Sequence, residues 1–249
     1  MERHIRSVED VLRLLDGLFD AGADRWSEGA GSQWWDGFYE DRDKPIPFFA
    51  NRPDENLVGY LDRGLIRPRR VLELGCGPGR NALYLAGERG CTVDAVDLSP
   101  AAIAWARERA EQADWGADAG TVRFHRGDAF QLTCEQLLGP YDFVYDSGCF
   151  HHLPPHRRVS YLQLLDRVLA PGGHLGLVCF ASGAMGSELP DEEFYRDTRL
   201  HGGLAYTPES LRWIFGEMAE VELRRMKAEA EDSPRFGEDF LWTTLLRRA

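Results

Sequence analysis

The sequence has little of the positive charge that nucleic-acid-binding and membrane-surface proteins concentrate. Over 249 residues the formal net charge is −12, and only two of the 29 basic residues are lysines, Lys44 and Lys227. Binding to a phosphate backbone or to an anionic lipid surface requires clustered Lys and Arg. We therefore expect a small-molecule substrate, with no nucleic acid and no membrane among the partners.

Long hydrophobic runs are also absent. No apolar stretch approaches the ~20 residues that span a bilayer. The first ten residues are charged and carry no apolar core, so they do not read as a secretory signal. The apolar fraction of 43% is ordinary for a globular domain. These features predict a soluble, cytoplasmic protein. They do not determine the oligomeric state, for which we expect a monomer or a homodimer.

Paired cysteines are missing as well. The chain has five cysteines, an odd number without a C-x-x-C pair, and several fall in strand-like segments. They are therefore interpreted as buried reduced thiols: Cys76, Cys91, Cys134, Cys149 and Cys179. The three neighbouring histidines 151, 152 and 156 have no acidic or thiol partner at helical spacing, so we predict no metal site.

A glycine-rich turn between a short apolar strand and a helix is the most informative stretch. Residues 71–86 read VLELGCGPGRNALYLA, with Glu73 before the turn and Cys76 within it. Glycines let a ligand approach the main chain, and the helix start offers unpaired N–H groups. A dinucleotide fingerprint would place its third glycine where this chain has Arg80. The glycines of the turn are Gly75, Gly77 and Gly79.

Acidic residues follow the next two predicted strands. Asp97 ends the second strand, 22 residues after Gly75, and precedes Leu98. A carboxylate there can accept hydrogen bonds from both hydroxyls of a ribose. Asp128 follows the third strand. It can accept from the exocyclic amine of an adenine or cap the turn that follows, and both roles can hold together. The neighbours Ala129 and Phe130 offer a backbone N–H and an apolar face.

The residues after the fourth strand face the same crevice if this strand lies beside the first. They include Asp146, His151 and His152. A histidine here can act as a general base, because imidazole titrates near neutral pH. A hydrogen-bonded histidine that shapes the pocket is the alternative, and the sequence does not decide between them.

The N-terminal part is rich in aromatic residues. Residues 32–57, which we call the aromatic segment, follow neither a helical nor an alternating period and contain three prolines, so we expect them to be irregular. The segment is either a permanent layer over the domain or a lid whose rings close over a ligand. The rings that would do so are Trp34, Trp35, Phe38 and Tyr39.

Five motifs occur in order along the chain: the glycine turn with Glu73, Asp97, the GDA of residues 127–129, the YDFVYDS of residues 141–147 and the LAPGG of residues 169–173. Together they resemble the class I S-adenosylmethionine (SAM)-dependent methyltransferases. The stretch GCGPGRNALYLA, the closing FLWTTLLRR and the aromatic segment are similar to the tellurite-resistance and thiopurine methyltransferase-like branch, which acts on small molecules.

The resemblance implies an α/β fold. The expected fold has a doubly wound, mainly parallel seven-stranded sheet, helices on both faces and an antiparallel last strand. Residues 1–64 would form a helical and aromatic lid on a SAM-binding domain of residues 65–249. The implied cofactor is SAM. Its binding residues would be Glu73, Gly75, Cys76, Gly77, Gly79, Asp97, Leu98, Asp128, Ala129, Phe130, Trp35 and Tyr39.

The expected reaction is methyl transfer to an oxygen, nitrogen or sulfur atom of a small molecule, with His151, His152 and Asp146 as the candidate catalytic residues. Two alternatives come from other classes of protein. One is a SAM-binding module without catalysis. The other is an NAD-dependent oxidoreductase, which Arg80 in place of a third glycine disfavours.

Overall fold

The computed structural model describes residues 5–132, 136–137 and 139–249. Cys134 lies outside the described residues. The other four cysteines are free thiols, and three of them (Cys76, Cys91 and Cys179) are buried.

Seven strands form one sheet in the order β3-β2-β1-β4-β5-β7-β6. The five strands from β3 to β5 pair in parallel, and β7 runs antiparallel to both of its neighbours. This arrangement confirms the predicted fold class. The strands are β1 (Arg70–Leu74), β2 (Thr92–Asp97), β3 (Thr121–Arg126), β4 (Tyr141–Ser147), β5 (Leu169–Phe180), β6 (Met218–Arg225) and β7 (Leu241–Arg248).

Helices cover both faces of the sheet. Because side chains alternate along a strand, Leu72 and Leu74 enter one core with residues of α6, whereas Val71 enters a second core with residues of α3 and α4. The helices are α1 (Val8–Asp16), α2 (Ala30–Glu40), α3 (Glu55–Asp62), α4 (Arg80–Gly87), α5 (Pro100–Gln112), α6 (Arg157–Val168), α7 (Asp191–Asp197) and α8 (Pro208–Ile214).

The prediction that the aromatic segment is irregular is wrong for its first part. Residues 30–40 form α2, which packs against α5. The aromatic side chains stand four residues apart, and the stacked pairs Trp34–Phe38 and Trp35–Tyr39 follow from that spacing. The prolines lie beyond the helix, where Pro47–Phe49 forms a 3₁₀ turn.

The topology brings the predicted motifs to one edge. Leu74, the last residue of β1, lies opposite Val96 of β2 and Asp146 of β4, so the loops that follow these strands meet in one crevice. Within the described part of the chain, no helix is both long and apolar enough to cross a membrane.

Candidate functional site

A cavity of about 360 Å³ opens at the carboxyl ends of β1, β2 and β4. Most of the residues that the sequence singled out line it. The exceptions are Trp34, Phe38, Gly79 and Asp146. Those that do are Trp35, Tyr39, Glu73, Gly75, Cys76, Gly77, Asp97, Leu98, Asp128, Ala129, Phe130, His151 and His152.

The glycine turn forms a wall of backbone that side chains would obstruct. Gly75 and Gly77 have φ values of 63° and 52°. A Cβ on Gly75 would come within 2.7 Å of Cys149 Cβ, and one on Gly77 within 2.8 Å of the Tyr39 hydroxyl. Gly79 begins α4 from outside the cavity, where a Cβ would come within 3.1 Å of the ring of Phe124. The first two glycines therefore shape the cavity and the third permits close packing.

Asp97 ties the glycine turn to the loop after β2. Its Oδ2 accepts a hydrogen bond from Gly77 N at 2.8 Å, and its Oδ1 accepts one from Ser99 N at 2.9 Å. Burial raises the pKa of Asp97 to about 6, and the N–H groups of Ser99 and Gly77 oppose that rise. At neutral pH the group is thus a buried carboxylate in the cavity wall, with lone pairs left for a ligand hydroxyl.

Glu73 is a buried carboxyl group with an unused oxygen. The side chain is almost fully buried, and its Oε2 has no hydrogen-bond partner among the described residues. Burial raises the pKa of Glu73 to about 8, although the charge of Arg80 opposes the rise. That guanidinium is already bonded to Asp54, at 2.5 Å. The pocket therefore places an unpaired carboxyl oxygen where a cationic ligand group would satisfy it.

The carboxylate of Asp128 caps the turn that follows β3, which is one of the two roles predicted for it. Oδ1 accepts from Phe130 N at 2.8 Å and Oδ2 accepts from Gln131 Nε2 at 3.0 Å. The backbone N–H of Asp128 donates to Glu28 at 3.0 Å. Both oxygens retain lone pairs, so the capping role leaves the carboxylate able to accept from a ligand amine.

Helix α2 covers the cavity and is fastened to the loop after β2. Ser32 Oγ donates to Leu98 O at 2.9 Å. Asp36 Oδ1 accepts from Ser99 Oγ at 2.7 Å and from Ala101 N at 2.8 Å, at the start of α5. On the same helix, the rings of Trp35 and Tyr39 stack over the cavity. Sequence reasoning missed Ser32 and Asp36, although their spacing of four residues could have identified them.

His151 and His152 form a neutral pair. Their Nε2 atoms are 3.1 Å apart, so one ring donates to the other, and His151 stacks on Phe180 with ring centroids 3.6 Å apart. Burial lowers the pKa of His152 to about 3, and the positive charge of Arg25 adds to the fall. Burial, with His152 beside it, likewise lowers the pKa of His151 well below its usual value.

The outer nitrogens of the pair differ in their surroundings. Nδ1 of His151 is buried and has no hydrogen-bond partner among the described residues. Nδ1 of His152 also lacks a partner in hydrogen-bonding geometry there, yet the Gly202 backbone is close enough to raise the pKa of His152 slightly against the larger effect of burial. The two histidines therefore line the cavity with Nδ1 atoms that have no hydrogen-bond partner among the described residues.

Asp146 lies beneath the cavity wall. Its carboxylate accepts hydrogen bonds from Cys149 N at 2.8 Å, from Phe150 N at 3.1 Å and from the Tyr161 hydroxyl at 3.0 Å. Burial raises the pKa of Asp146 to about 7, against those donors. The side chain thus holds the turn that carries the two histidines.

Part of the chain is similar to known proteins. Residues 71–173 match the methyltransferase domain family. The chain is 31% identical over 140 residues, 55% of its length, to the 2-heptyl-1-hydroxyquinolin-4(1H)-one methyltransferase of Mycobacteroides abscessus, and the match covers 57% of that protein. The chain thus spans about half the length of the curated relatives it matches first.

Solved structures share the fold. The 1,6-didemethyltoxoflavin-N1-methyltransferase of Burkholderia thailandensis, with bound S-adenosylhomocysteine, matches at a TM-score of 0.60 and 20% identity, over 100% of this chain and 93% of that one. TehB of Haemophilus influenzae matches at a TM-score of 0.54 and 21% identity, over 78% of this chain and 62% of that one. These likenesses, at 20–21% identity, show that the chain shares its fold with both proteins.

Proposed function

We propose that this chain, which carries a class I SAM-dependent methyltransferase domain, transfers the methyl group of SAM to a small-molecule acceptor. The observation that carries the proposal is the cavity at the ends of β1, β2 and β4. It combines a glycine wall with buried carboxyl groups at the positions the sequence predicts. The neighbouring wall is mainly apolar, with Phe180, Phe240 and Met185 exposed to the cavity.

The residues of the cavity fit the chemical parts of SAM. We assign the amino group to Glu73, whose Oε2 is unpaired, and the ribose hydroxyls to Asp97 and Leu98. The adenine is assigned to Asp128, Ala129 and Phe130. The backbone of Gly75, Cys76 and Gly77 would lie against the part of SAM that joins its amino group to its ribose. Gly79 supports this wall from behind.

SAM supplies a methyl group on a positively charged sulfur. The rings of Trp35 and Tyr39 stabilise such a cation by up to about 2 kcal/mol when water is excluded. Holding the acceptor atom in line with the methyl carbon accounts for a further part of the rate, since orientation can be worth about 7–11 kcal/mol. The chain's task is therefore mainly to position two molecules and to exclude water.

The histidine pair is assigned to the acceptor. Because both rings are neutral at pH 7, the unpaired Nδ1 of His151 accepts a hydrogen bond from an acceptor hydroxyl or amine, and it can take the proton during transfer. A thiol acceptor, which is partly ionised near neutral pH, would not need this help. Asp146 acts as a positioning residue that keeps the turn before the histidines in place.

Two experiments test the general proposal. Calorimetric titration with SAM, S-adenosylhomocysteine and NADH should show binding of the first two only. Turnover of SAM to S-adenosylhomocysteine should then be stimulated by at least one acceptor in a panel of phenols, amines, thiols and carboxylic acids. Binding of SAM without any turnover would favour the non-catalytic module, and tighter binding of NADH would favour the oxidoreductase.

His151→Ala and His152→Ala distinguish the kinds of acceptor. If the acceptor is a hydroxyl, one substitution lowers kcat by about 10²–10⁴-fold and leaves SAM affinity nearly unchanged. If it is a thiol, both variants keep most of their activity. His174→Ala is the matched control, because His174 is a half-exposed histidine of β5 that does not line the cavity. Loss of SAM binding in both variants would make the histidines structural.

A further inference from the structure

A second cavity adjoins the one described above. It has a volume of about 350 Å³ and shares two residues, Arg25 and His152, with the first cavity. These two side chains therefore stand at the junction. The rest of the second cavity is lined by Asp20, Gly22, Ala23, Arg199, Leu200, His201 and Gly202.

The guanidinium of Arg25 is held in a fixed position. Its Nη1 donates to Gly22 O at 2.9 Å and to Asp24 O at 2.7 Å. The Cζ atom lies 3.8 Å over the ring of Trp34. Its backbone is also tied down, since Trp35 Nε1 donates to Arg25 O at 2.9 Å. A side chain anchored in this way loses little conformational entropy when it binds a ligand.

No carboxylate neutralises this guanidinium. Among the described residues, none lies within ion-pair distance of Arg25. The neighbouring Asp24 is turned towards its own backbone, where Oδ1 accepts from Trp26 N and Ser27 N, each at 2.9 Å. By contrast, the buried Arg80 pairs with Asp54. Burial lowers the pKa of Arg25, and the charge of the neighbouring Asp24 opposes that fall without reversing it.

The other charges of the second cavity largely cancel. Arg199 and His201 both pair with Asp197, and Asp20 lies in the same wall. Arg25 is thus the cation at the junction that makes no ion pair with a described residue. Its anchored Nη1 leaves Nε and Nη2 without a hydrogen bond to the described residues, and these two N–H groups form the edge that matches a carboxylate.

We propose that Arg25 binds a carboxylate of the acceptor through Nε and Nη2, so that the acceptor is an apolar molecule bearing a carboxylic acid. The apolar part would lie against Phe180 and Met185 in the first cavity, beside the histidine pair. The carboxylate would lie at the junction with the second cavity. Only the identification of the ligand as the methyl acceptor rests on the proposed function. Binding of a carboxylate by Arg25 does not depend on it.

The test compares acids with their neutral counterparts. The probes are benzoate, phenylacetate and 3-phenylpropionate, each paired with the corresponding alcohol, and dissociation constants are measured by NMR titration with and without saturating S-adenosylhomocysteine. At least one acid should bind ten-fold or more tightly than its alcohol. Arg25→Gln should abolish that preference. Arg25→Lys, which keeps the charge but not the fork of donors, should retain only part of it.

Arg42→Gln is the matched control. Arg42 also lies over a tryptophan, at 5.1 Å from the ring of Trp105, but outside both cavities, so this variant should keep the full preference for the acid. Equal binding of every acid and its alcohol, or a preference that survives Arg25→Gln, would overturn the proposal. A preference lost in Arg199→Gln but not in Arg25→Gln would do the same. Failure of S-adenosylhomocysteine to bind would instead count against the proposed function.

Discussion

Three buried carboxyl groups around the cavity have different roles because their hydrogen-bond partners differ. Asp97 and Asp146 each accept hydrogen bonds from two backbone N–H groups, which hold loops in place. Glu73 has an oxygen without any such partner. Burial raises all three pKa values, to about 6 for Asp97, about 7 for Asp146 and about 8 for Glu73, which is the highest of the three. Glu73 is therefore the group whose charge a bound cation would change most.

At the residue scale, we expect Asp97→Ala to weaken SAM binding by about 1.5–3 kcal/mol. The substitution would remove the charge-assisted hydrogen bonds that we propose between Asp97 and the ribose hydroxyls. It also frees the N–H groups of Gly77 and Ser99. Calorimetry measures the change in affinity. Asp142→Ala is the control, because Asp142 accepts from the N–H groups of Arg69 and Arg70 at the start of β1, outside the cavity. An unchanged affinity in Asp97→Ala would remove Asp97 from the ribose site.

The pKa of Glu73 predicts that SAM uptake is coupled to proton release. Between pH 6.5 and 7.5 the carboxyl group, with a pKa of about 8 in the free protein, is mostly protonated, whereas a bound ammonium favours the carboxylate. Affinity should therefore rise by up to about ten-fold per pH unit across this window and level off above pH 8. The groups that face Glu73 are Arg80, Asp54, Cys76 and Asn81.

Calorimetry in two buffers with different ionisation enthalpies counts the protons released. Wild-type protein should release close to one proton per SAM at pH 7, and Glu73→Gln should release fewer and bind with a flatter pH dependence. Asp97, with a pKa of about 6, is already ionised in this window and contributes little. Equal heats in both buffers for the wild-type protein would mean that Glu73 does not change its protonation state on binding.

At the scale of elements, the strands were predictable and α2 was not. β1 and β2 are short apolar runs that end at a glycine turn and at an aspartate, and both signals are local in sequence. Helix α2 (Ala30–Glu40) has no side-chain cap and begins after Gly29, and the nearby prolines suggested broken structure. The signal was the spacing of the aromatic pairs by four residues. Packing on α5 stabilises this helix, although the sequence at its ends does not mark where the helix begins or stops.

The hydrogen bonds of α2 predict how the lid responds to cofactor. We expect residues 32–51 to exchange amide hydrogens more slowly with S-adenosylhomocysteine bound, because the rings of Trp35 and Tyr39 then gain a partner in the cavity. Asp36→Ala removes the bonds to Ser99 Oγ and Ala101 N, so it should speed exchange in the free protein and cofactor dissociation alike.

Asp41→Ala is the matched control for this element. Asp41 lies on the surface just after α2, and among the described residues only Asp43 N donates to its carboxylate. Its removal should therefore leave both rates unchanged. Equal protection of residues 32–51 with and without ligand would indicate the alternative from the sequence, a permanent covering layer.

For the whole molecule, the order of motifs was enough to predict the sheet, whereas the site needed three-dimensional contacts. The glycine turn, Asp97 and the histidines follow successive strands, and a parallel sheet brings such positions together. Arg25 gave no comparable signal. Its role at the junction of two cavities depends on the contact with Trp34 and on the lack of an ion pair with any described residue, which no local pattern encodes.

The contacts between residues 1–64 and the sheet predict that the two parts unfold together. Asp54 is fully buried and joins Arg80 of α4 at 2.5 Å and the hydroxyl of Tyr145 of β4 at 2.6 Å. Asp54→Asn leaves the guanidinium buried without its carboxylate, which costs about 3–5 kcal/mol. For a chain of this size, each kcal/mol lowers the Tm by about 2–4 °C.

Calorimetric unfolding of the wild-type protein should therefore show one transition, and Asp54→Asn should lower its Tm by about 6–20 °C while keeping it single. Asp62→Asn is the control, because the pair Asp62–Arg89 is exposed and contributes less than about 1 kcal/mol. If residues 1–64 were only a lid on an independent domain, the wild-type protein would show two transitions and Asp54→Asn would shift only the earlier one. The buried position of Asp54 between α4 and β4 favours the single transition, because removing that charge weakens the lid and the sheet at the same point.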